Sequence, residues 1–218
     1  MLSGRNSSHD VLHTLLALLV SLTSLVPPTA ALPLGVVSQD PTTDSEARPA
    51  VGFADLLLAA QLIRFQSDSL KTQVCDKYLM CDSDMEILSH NGLHLPKITK
   101  EDGCYASDFN KEKCFQKISI GLYMYLPYLH FVQNDFGGEE KQIKNMQHAT
   151  KHLADVIKMV LKDASGVKQM DKNEQQILLE SLSLNQEWTR KLTISFILRD
   201  FTSFMEKIIR AVRYVQNS

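Results

Sequence analysis

Four cysteines in two close pairs, Cys75-x5-Cys81 and Cys104-x9-Cys114, restrict this chain more than any other feature. They follow an N-terminal export signal, and an even cysteine count in an exported chain argues for disulfides over metal or redox chemistry. Both pairs fall between about residues 75 and 114, where helical periodicity lapses. Staples confined to one connection shape that connection and do not hold a whole fold together. The expected product is a helical protein whose loop geometry serves recognition.

Residues 1–31 read as a secretory signal peptide. Arg5 lies in a short polar start, Val11 to Val26 is almost wholly apolar, Pro27-Pro28 breaks the run, and Thr29-Ala30-Ala31 supplies small residues for cleavage. That run is too short, and too dotted with Thr14, Ser21, Thr23 and Ser24, to read as a membrane span. No later segment has the length and apolarity to cross a bilayer, so the expected mature protein is secreted and not inserted in a membrane. Residues 32–50, with Pro33, Gly35, Pro41, Thr42, Thr43, Ser45 and Pro49, show no periodicity and read as a flexible tail. Residues 51–218 then form one domain with room for a sound core. A net charge of −2 argues against nucleic acid or an anionic membrane as the main partner. The single N-glycosylation sequon, Asn6-Ser7-Ser8, departs with the leader.

Four helical patterns emerge, with no strand alternation and no repeat. The first spans about 51–74, where Phe53, Leu56, Leu57, Ala60, Ile63, Leu70 and Val74 recur every three or four residues. The second, about 111–135, carries Phe115, Ile118, Leu122, Tyr125, Leu129 and Val132, with Pro127 inside it as an expected kink. The third, about 139–162, shows Ile143, Met146, Leu153, Val156, Ile157 and Val160, and opens with Glu139-Glu140 at its electropositive end. The fourth is expected as one helix from about 174 to 215, through Leu178, Leu182, Leu192, Phe196, Phe201, Phe204, Met205, Ile208, Val212 and Val215.

Connection lengths set the topology. Gly137-Gly138 makes a tight turn, so the second and third helices are antiparallel neighbours. The other two connections are long: even about 12 extended residues reach ~40 Å, the length of a ~25-residue helix. Two long crossovers and one short turn specify an all-α, up-up-down-down four-helix bundle. Within the first crossover, Asp84 to Asn91 reads as a short helix ended by Gly92.

Chemistry that would make the chain an enzyme is missing. His148 and His152 stand at i, i+4, but no third ligand follows at useful spacing, and Gly92 separates His90 from His94. There is neither a Gly-x-Ser-x-Gly elbow nor a phosphate-binding loop. Glu139-Glu140, Glu101-Asp102 and Asp82/Asp84 read as solvated or capping carboxylates. No cofactor is implied. Four apolar stripes also permit a bundle that carries a small lipophilic ligand, against a core filled by its own Leu, Ile and Phe.

The crossover segments Cys75-Asp-Lys-Tyr-Leu-Met-Cys81, Asn91-Gly-Leu-His-Leu-Pro-Lys97 and Glu101-Asp-Gly-Cys-Tyr105, with Phe109-Asn110 and Cys114, resemble one family of long-chain helical cytokines. Lys117-Ile118 to Gly121-Leu122, and Ile197-Leu198-Arg199 with Phe201 and Phe204, agree with it. The family is that of interleukin-6 and granulocyte colony-stimulating factor, and the likeness covers about residues 53–215. Leu-Pro-Lys, Asp-Gly-Cys and Ile-Leu-Arg place the chain on the interleukin-6 side; the granulocyte factor is the alternative. The resemblance implies disulfides Cys75–Cys81 and Cys104–Cys114.

It further implies a ligand without catalysis that joins receptors through three surfaces and drives immune and acute-phase signalling. The first surface binds an alpha receptor through Tyr105, Phe109, Glu206, Arg210 and Arg213. Aromatic and arginine side chains suit such an anchor, although Phe109 also suits loop packing and the two arginines suit a helix C-terminus. The second contacts a shared signal-transducing subunit through Leu62, Gln66, Ala149 and His152. The third meets another copy of that subunit at Trp188 and Leu88. Trp188, the single tryptophan, reads equally as a hot spot or as a core anchor.

Overall fold

The computed structural model describes residues 52–79, 93–183 and 186–218. The leader and tail over 1–50, the short helix at Asp84–Asn91, Cys81, Leu88 and Asn185 lie outside the described residues. Among the described residues five α-helices form: α1 Phe53–Tyr78, α2 Lys111–Asp135, α3 Glu140–Met159, α4 Lys172–Ser183 and α5 Glu187–Asn217, with one 3-10 turn at Lys100–Asp102. Among the described residues there is no strand.

Burial follows the apolar spacing. On α1 the buried residues are Leu56, Ala60, Ile63, Ser67, Leu70 and Val74, alternate steps of four and three that keep one seam facing the bundle. α3 likewise buries one stripe, Ile143, Met146, Thr150, Leu153, Ala154 and Ile157. α2 is buried on most sides, with Phe115, Tyr125 and Phe131 wholly enclosed, because helices and the crossover cover it together. With Phe201 and Phe204 of α5 these rings fill the centre. Gly121 matters there: a Cβ at that position would lie 2.4 Å from Phe204 Cζ, so the absent side chain lets α5 pack against the α2 backbone.

Contacts fix the helix directions. Phe53 meets Phe115, and Tyr78 meets Phe136, so α1 and α2 run parallel. Ser119 Oγ donates to the Ala154 carbonyl (3.0 Å) and Gln147 Nε2 to the Leu129 carbonyl (3.0 Å), so α3 runs back along α2. Arg64 reaches Glu206, while Ser67 reaches Leu198 and Thr202, so α5 is antiparallel to α1. The widest interfaces are α1 with α5 and α2 with α3; α1 with α3 and α2 with α5 close the ring. The result is the up-up-down-down bundle. Its buried hydroxyls are satisfied, as where Ser67 Oγ and Thr202 Oγ1 lie 2.7 Å apart and Thr202 also donates to the Leu198 carbonyl.

Three side chains of the bundle hold carbonyls of the first crossover among the described residues. Tyr125 donates to the Pro96 carbonyl (3.0 Å), Tyr128 to His94 (3.3 Å) and the Lys207 ammonium to Ile98 (2.9 Å). Leu95 and Ile98 are buried beneath it. The 3-10 turn is closed by a capping box in which the Asp102 carboxylate accepts from the Thr99 amide at 2.6 Å. Asn110 caps α2 by accepting from the Lys113 amide (3.0 Å).

Several expectations need correction. α1 runs to Tyr78 and α2 begins at Lys111, so Cys75 and Cys114 sit within helix ends and not in a lapse of periodicity. α3 stops at Met159, short of 162. The expected 174–215 helix is two helices, and Gln186 is extended between them (φ −59°, ψ 154°). Ser181 and Ser183 hydroxyls donate back to the Leu178 and Leu179 carbonyls, competing with the helical ladder as α4 ends. α4 packs on α2 as well as on α5, so its leucine stripe belongs to the second crossover. α2 continues unbroken through the buried Pro127.

Candidate functional site

Where the crossover meets α2, Cys104 and Cys114 are joined by a disulfide with Cα atoms 4.9 Å apart. The Asn110 amide donates to the Gly103 carbonyl (2.8 Å), closing residues 103–110 into a loop, and Gly103 adopts the left-handed φ of 66° that this turn requires. Asp102 holds the loop's entrance. Partial burial raises its carboxyl, but the Thr99 bonds and the Lys117 ammonium, 3.4 Å away, outweigh this and leave it below the usual aspartate range.

This loop presents Tyr105, exposed, and Phe109, half-buried. Phe109 stacks on Tyr214 with ring centroids 4.5 Å apart, which brings the crossover against the last turns of α5. Arg210 and Arg213 are exposed on the same turns. The loop-packing reading of Phe109 is thus met by a ring that is half-buried and not enclosed. Glu206 is tied to Arg64 of α1 at 3.3 Å. Tyr214 is a member of this cluster that sequence reasoning missed; the signal was an aromatic four residues after Arg210, on the same helix face.

On the α1 and α3 side, Leu62 is 56 % exposed and His152 is exposed, while Gln66 and Ala149 are half-buried. The Ser119 and Gln147 bonds set residues 147–154 of α3 alongside the middle of α2, the level at which the middle of α1 also lies. Two further side chains extend the α1 patch: Leu58 and Phe65, the latter 68 % exposed. With Leu62 they follow the i, i+4, i+7 rhythm but fall off the buried seam, which was the missed signal. Beside His152, Asp155 accepts from Lys151 (2.8 Å) and from the Tyr123 hydroxyl. Partial burial raises its carboxyl, yet these two donors win and lower it; burial and then Asp155 push the Tyr123 hydroxyl upward.

Trp188 stands in the first turn of α5 and is 58 % exposed, so it is not a core anchor. Its intended companion Leu88 lies outside the described residues. Cys75 is disulfide-bonded, and its expected partner Cys81 also lies outside. Among the described residues no cluster of His, Cys, Asp or Glu is arranged to hold a metal, and no helix is long and apolar enough to cross a membrane. Tyr105, Arg210, Arg213, Leu62, His152 and Trp188 are exposed to solvent over a packed core, an arrangement suited to contact with other macromolecules.

Comparison with known proteins agrees in both sequence and fold. The family model described as "Interleukin-6/G-CSF/MGF family" matches residues 33–215. Interleukin-6 of Gallus gallus is 39 % identical over 207 residues, 94 % of this chain and 85 % of that protein. Interleukin-6 of Delphinapterus leucas is 32 % identical over 217 residues, 95 % of this chain and 99 % of that protein. A solved chain from a cytokine/receptor complex superposes with a TM-score of 0.67 over 74 % of this chain and 97 % of its own, at 20 % identity, and attests the fold. With the bundle topology, the stapled crossover and these matches in agreement, the chain belongs to the Interleukin-6/G-CSF/MGF family.

Proposed function

We propose that this chain is a secreted cytokine of the interleukin-6 type, a ligand that works by joining receptors and catalyses no reaction itself. Its alpha-receptor surface combines Tyr105, Phe109, Glu206, Arg210 and Arg213, and it engages the interleukin-6 receptor alpha subunit. Leu62, Gln66, Ala149 and His152 contact one copy of the shared signal-transducing subunit, and Trp188 with Leu88 contacts a second. Immune and acute-phase signalling follows inside the target cell. Residues 1–31 act as a removable export leader, a reading supported by a family match that begins at residue 33.

The observation that carries the reading is the Phe109–Tyr214 stack at 4.5 Å. It brings two distant sequence segments together and sets exposed Tyr105, Arg210 and Arg213 around the half-buried Phe109, the composition favoured at binding hot spots. A cytokine/receptor complex among the structural relatives supports the same role.

The test pairs two variants in receptor pull-down and in a cell reporter. Arg210→Ala is expected to weaken alpha-receptor binding by more than about tenfold. Trp188→Ala is expected to keep that binding and to abolish reporter output. Normal signalling by both folded variants would overturn the assignment of these surfaces.

A further inference from the structure

The first turn of α5 carries Trp188 but lacks the usual support. Gln186, at its N-cap, makes no side-chain cap bond. Glu187 and Trp188 are exposed, and continuous burial begins only at Leu192. Something other than capping must fix the direction in which this turn leaves the bundle.

The neighbouring helix ends supply it. Arg190 Nε lies 3.2 Å from Asp135, the last residue of α2. The Lys191 ammonium bonds Glu187 at 2.6 Å and sits 5.2 Å from the centre of the Tyr78 ring, on the last turn of α1. Tyr78 is held in turn by an edge contact with Phe136, at 5.9 Å between centroids. Lys77 completes the arrangement: its ammonium is 4.7 Å from the Phe136 ring centre and donates to the Gly137 carbonyl at 2.8 Å. The ends of α1 and α2 therefore converge on two cations in the turn that bears Trp188.

We infer that Tyr78, Asp135, Arg190 and Lys191 form a positioning clamp that orients Trp188. Arg190 ties the turn to α2 and Lys191 ties it to α1, so neither tie alone fixes both its tilt and its rotation. The consequence for receptor recruitment rests on the third surface proposed above; the orientation itself does not.

Trp188 is the single tryptophan, so its fluorescence reports this turn alone. In the full mature chain, the double variant Arg190→Met/Lys191→Met keeps the aliphatic stems and removes both charges. It is expected to lower steady-state anisotropy and to raise acrylamide quenching of Trp188 by about twofold, with helix content and alpha-receptor binding unchanged. Reporter output is expected to fall about fivefold, the combined size of a cation–π contact and a partly buried ion pair. Lys191→Arg in the wild-type background is expected to retain the native anisotropy. If the double variant fails to fold, a salt titration of the unmodified protein decides: screening of Arg190–Asp135 and Lys191–Glu187 is expected to lower the anisotropy between about 0.01 and 1 M salt. Native anisotropy in the folded double variant, or no salt response where that variant does not fold, overturns the clamp. A Trp188→Ala variant that signals normally would instead sink the third surface and leave the clamp standing.

Discussion

The two ends of α5 are held in opposite ways. Near its C-terminus, Tyr214 stacks on Phe109, and the loop bearing Phe109 is closed by the Cys104–Cys114 disulfide. Near its N-terminus, some 40 Å away along the helix axis, Trp188 depends on Arg190, Lys191 and their charged or aromatic partners. Covalent closure and ring packing persist across salt concentrations, whereas ion pairs weaken as the Debye length shortens, the half-open Lys191–Glu187 pair more than the partly buried Arg190–Asp135 pair. The comparison teaches that one bundle can carry a stiff patch and a tunable patch on a single helix.

The strongest way to break this contrast is to cut the staple. Replacing Cys104 and Cys114 by serine frees an 11-residue loop, and chain-entropy arguments put the loss at about 3 kcal/mol. Urea unfolding is expected to show that loss, and alpha-receptor binding is expected to fall sharply. Trp188 anisotropy should be untouched under native conditions. A matching change at Trp188 would mean that the ends are coupled through the helix.

A second variant attacks what both ends share. Gly121→Ala would drive a methyl to within 2.4 Å of the Phe204 ring. Overpacking of this kind costs about 1–3 kcal/mol, and the shift of α5 is expected to disturb both of its patches together. Calorimetry and the two binding assays check it; an unchanged melting temperature would show that the ring moves aside freely.

Smaller again is Tyr214→Ala. The tyrosine is only 39 % exposed and its stack with Phe109 is tilted, so the pair contributes about 0.5–1.5 kcal/mol beyond burial. A double-mutant cycle of Phe109→Ala and Tyr214→Ala against alpha-receptor affinity is expected to return a coupling of that size. Zero coupling would make Tyr214 a bystander and leave the stiff end to the disulfide alone.

How far this contrast was legible in the sequence depended on the range of the interaction. The bounds of α2 were readable because Asn110 and Gly137-Gly138 punctuate a strong apolar rhythm, and so was the bundle topology, which follows from connection lengths. The break before α5 was not, since Leu178, Leu182 and Leu192 keep a helical rhythm across it while the serine hydroxyls that compete with the ladder leave no periodic trace. Family likeness pointed to Phe109 and Trp188, but spacing alone left each split between core and surface. Tyr214, Phe65 and the Asp135–Arg190 pair needed three-dimensional placement, because a single sequence does not record which distant charges and rings meet.

Acid offers the mildest separation of the two ends. Asp102, at the stapled end, is lowered by Thr99 and Lys117 against an opposing effect of burial; Glu187, at the clamped end, is lowered first by its hydrogen bond to Lys191. Both folded values lie below the unfolded ones, so each contribution is present above the unfolded carboxylate range, near 3.9–4.3, and is lost as pH falls through the folded value. Glu187 is fully exposed and its partner is screened by water, so its share is small. Asp102 also closes the capping box, whose bonds to Thr99 weaken when the carboxylate loses its charge. Denaturation midpoints are therefore expected to hold from pH 7 to 5 and to decline below about pH 4, with Asp102→Asn flattening part of the decline and Glu187→Gln leaving it nearly as it was. Loss of the slope in Glu187→Gln instead would place the acid-sensitive contact at the clamp and reverse the assignment of stiffness between the two ends.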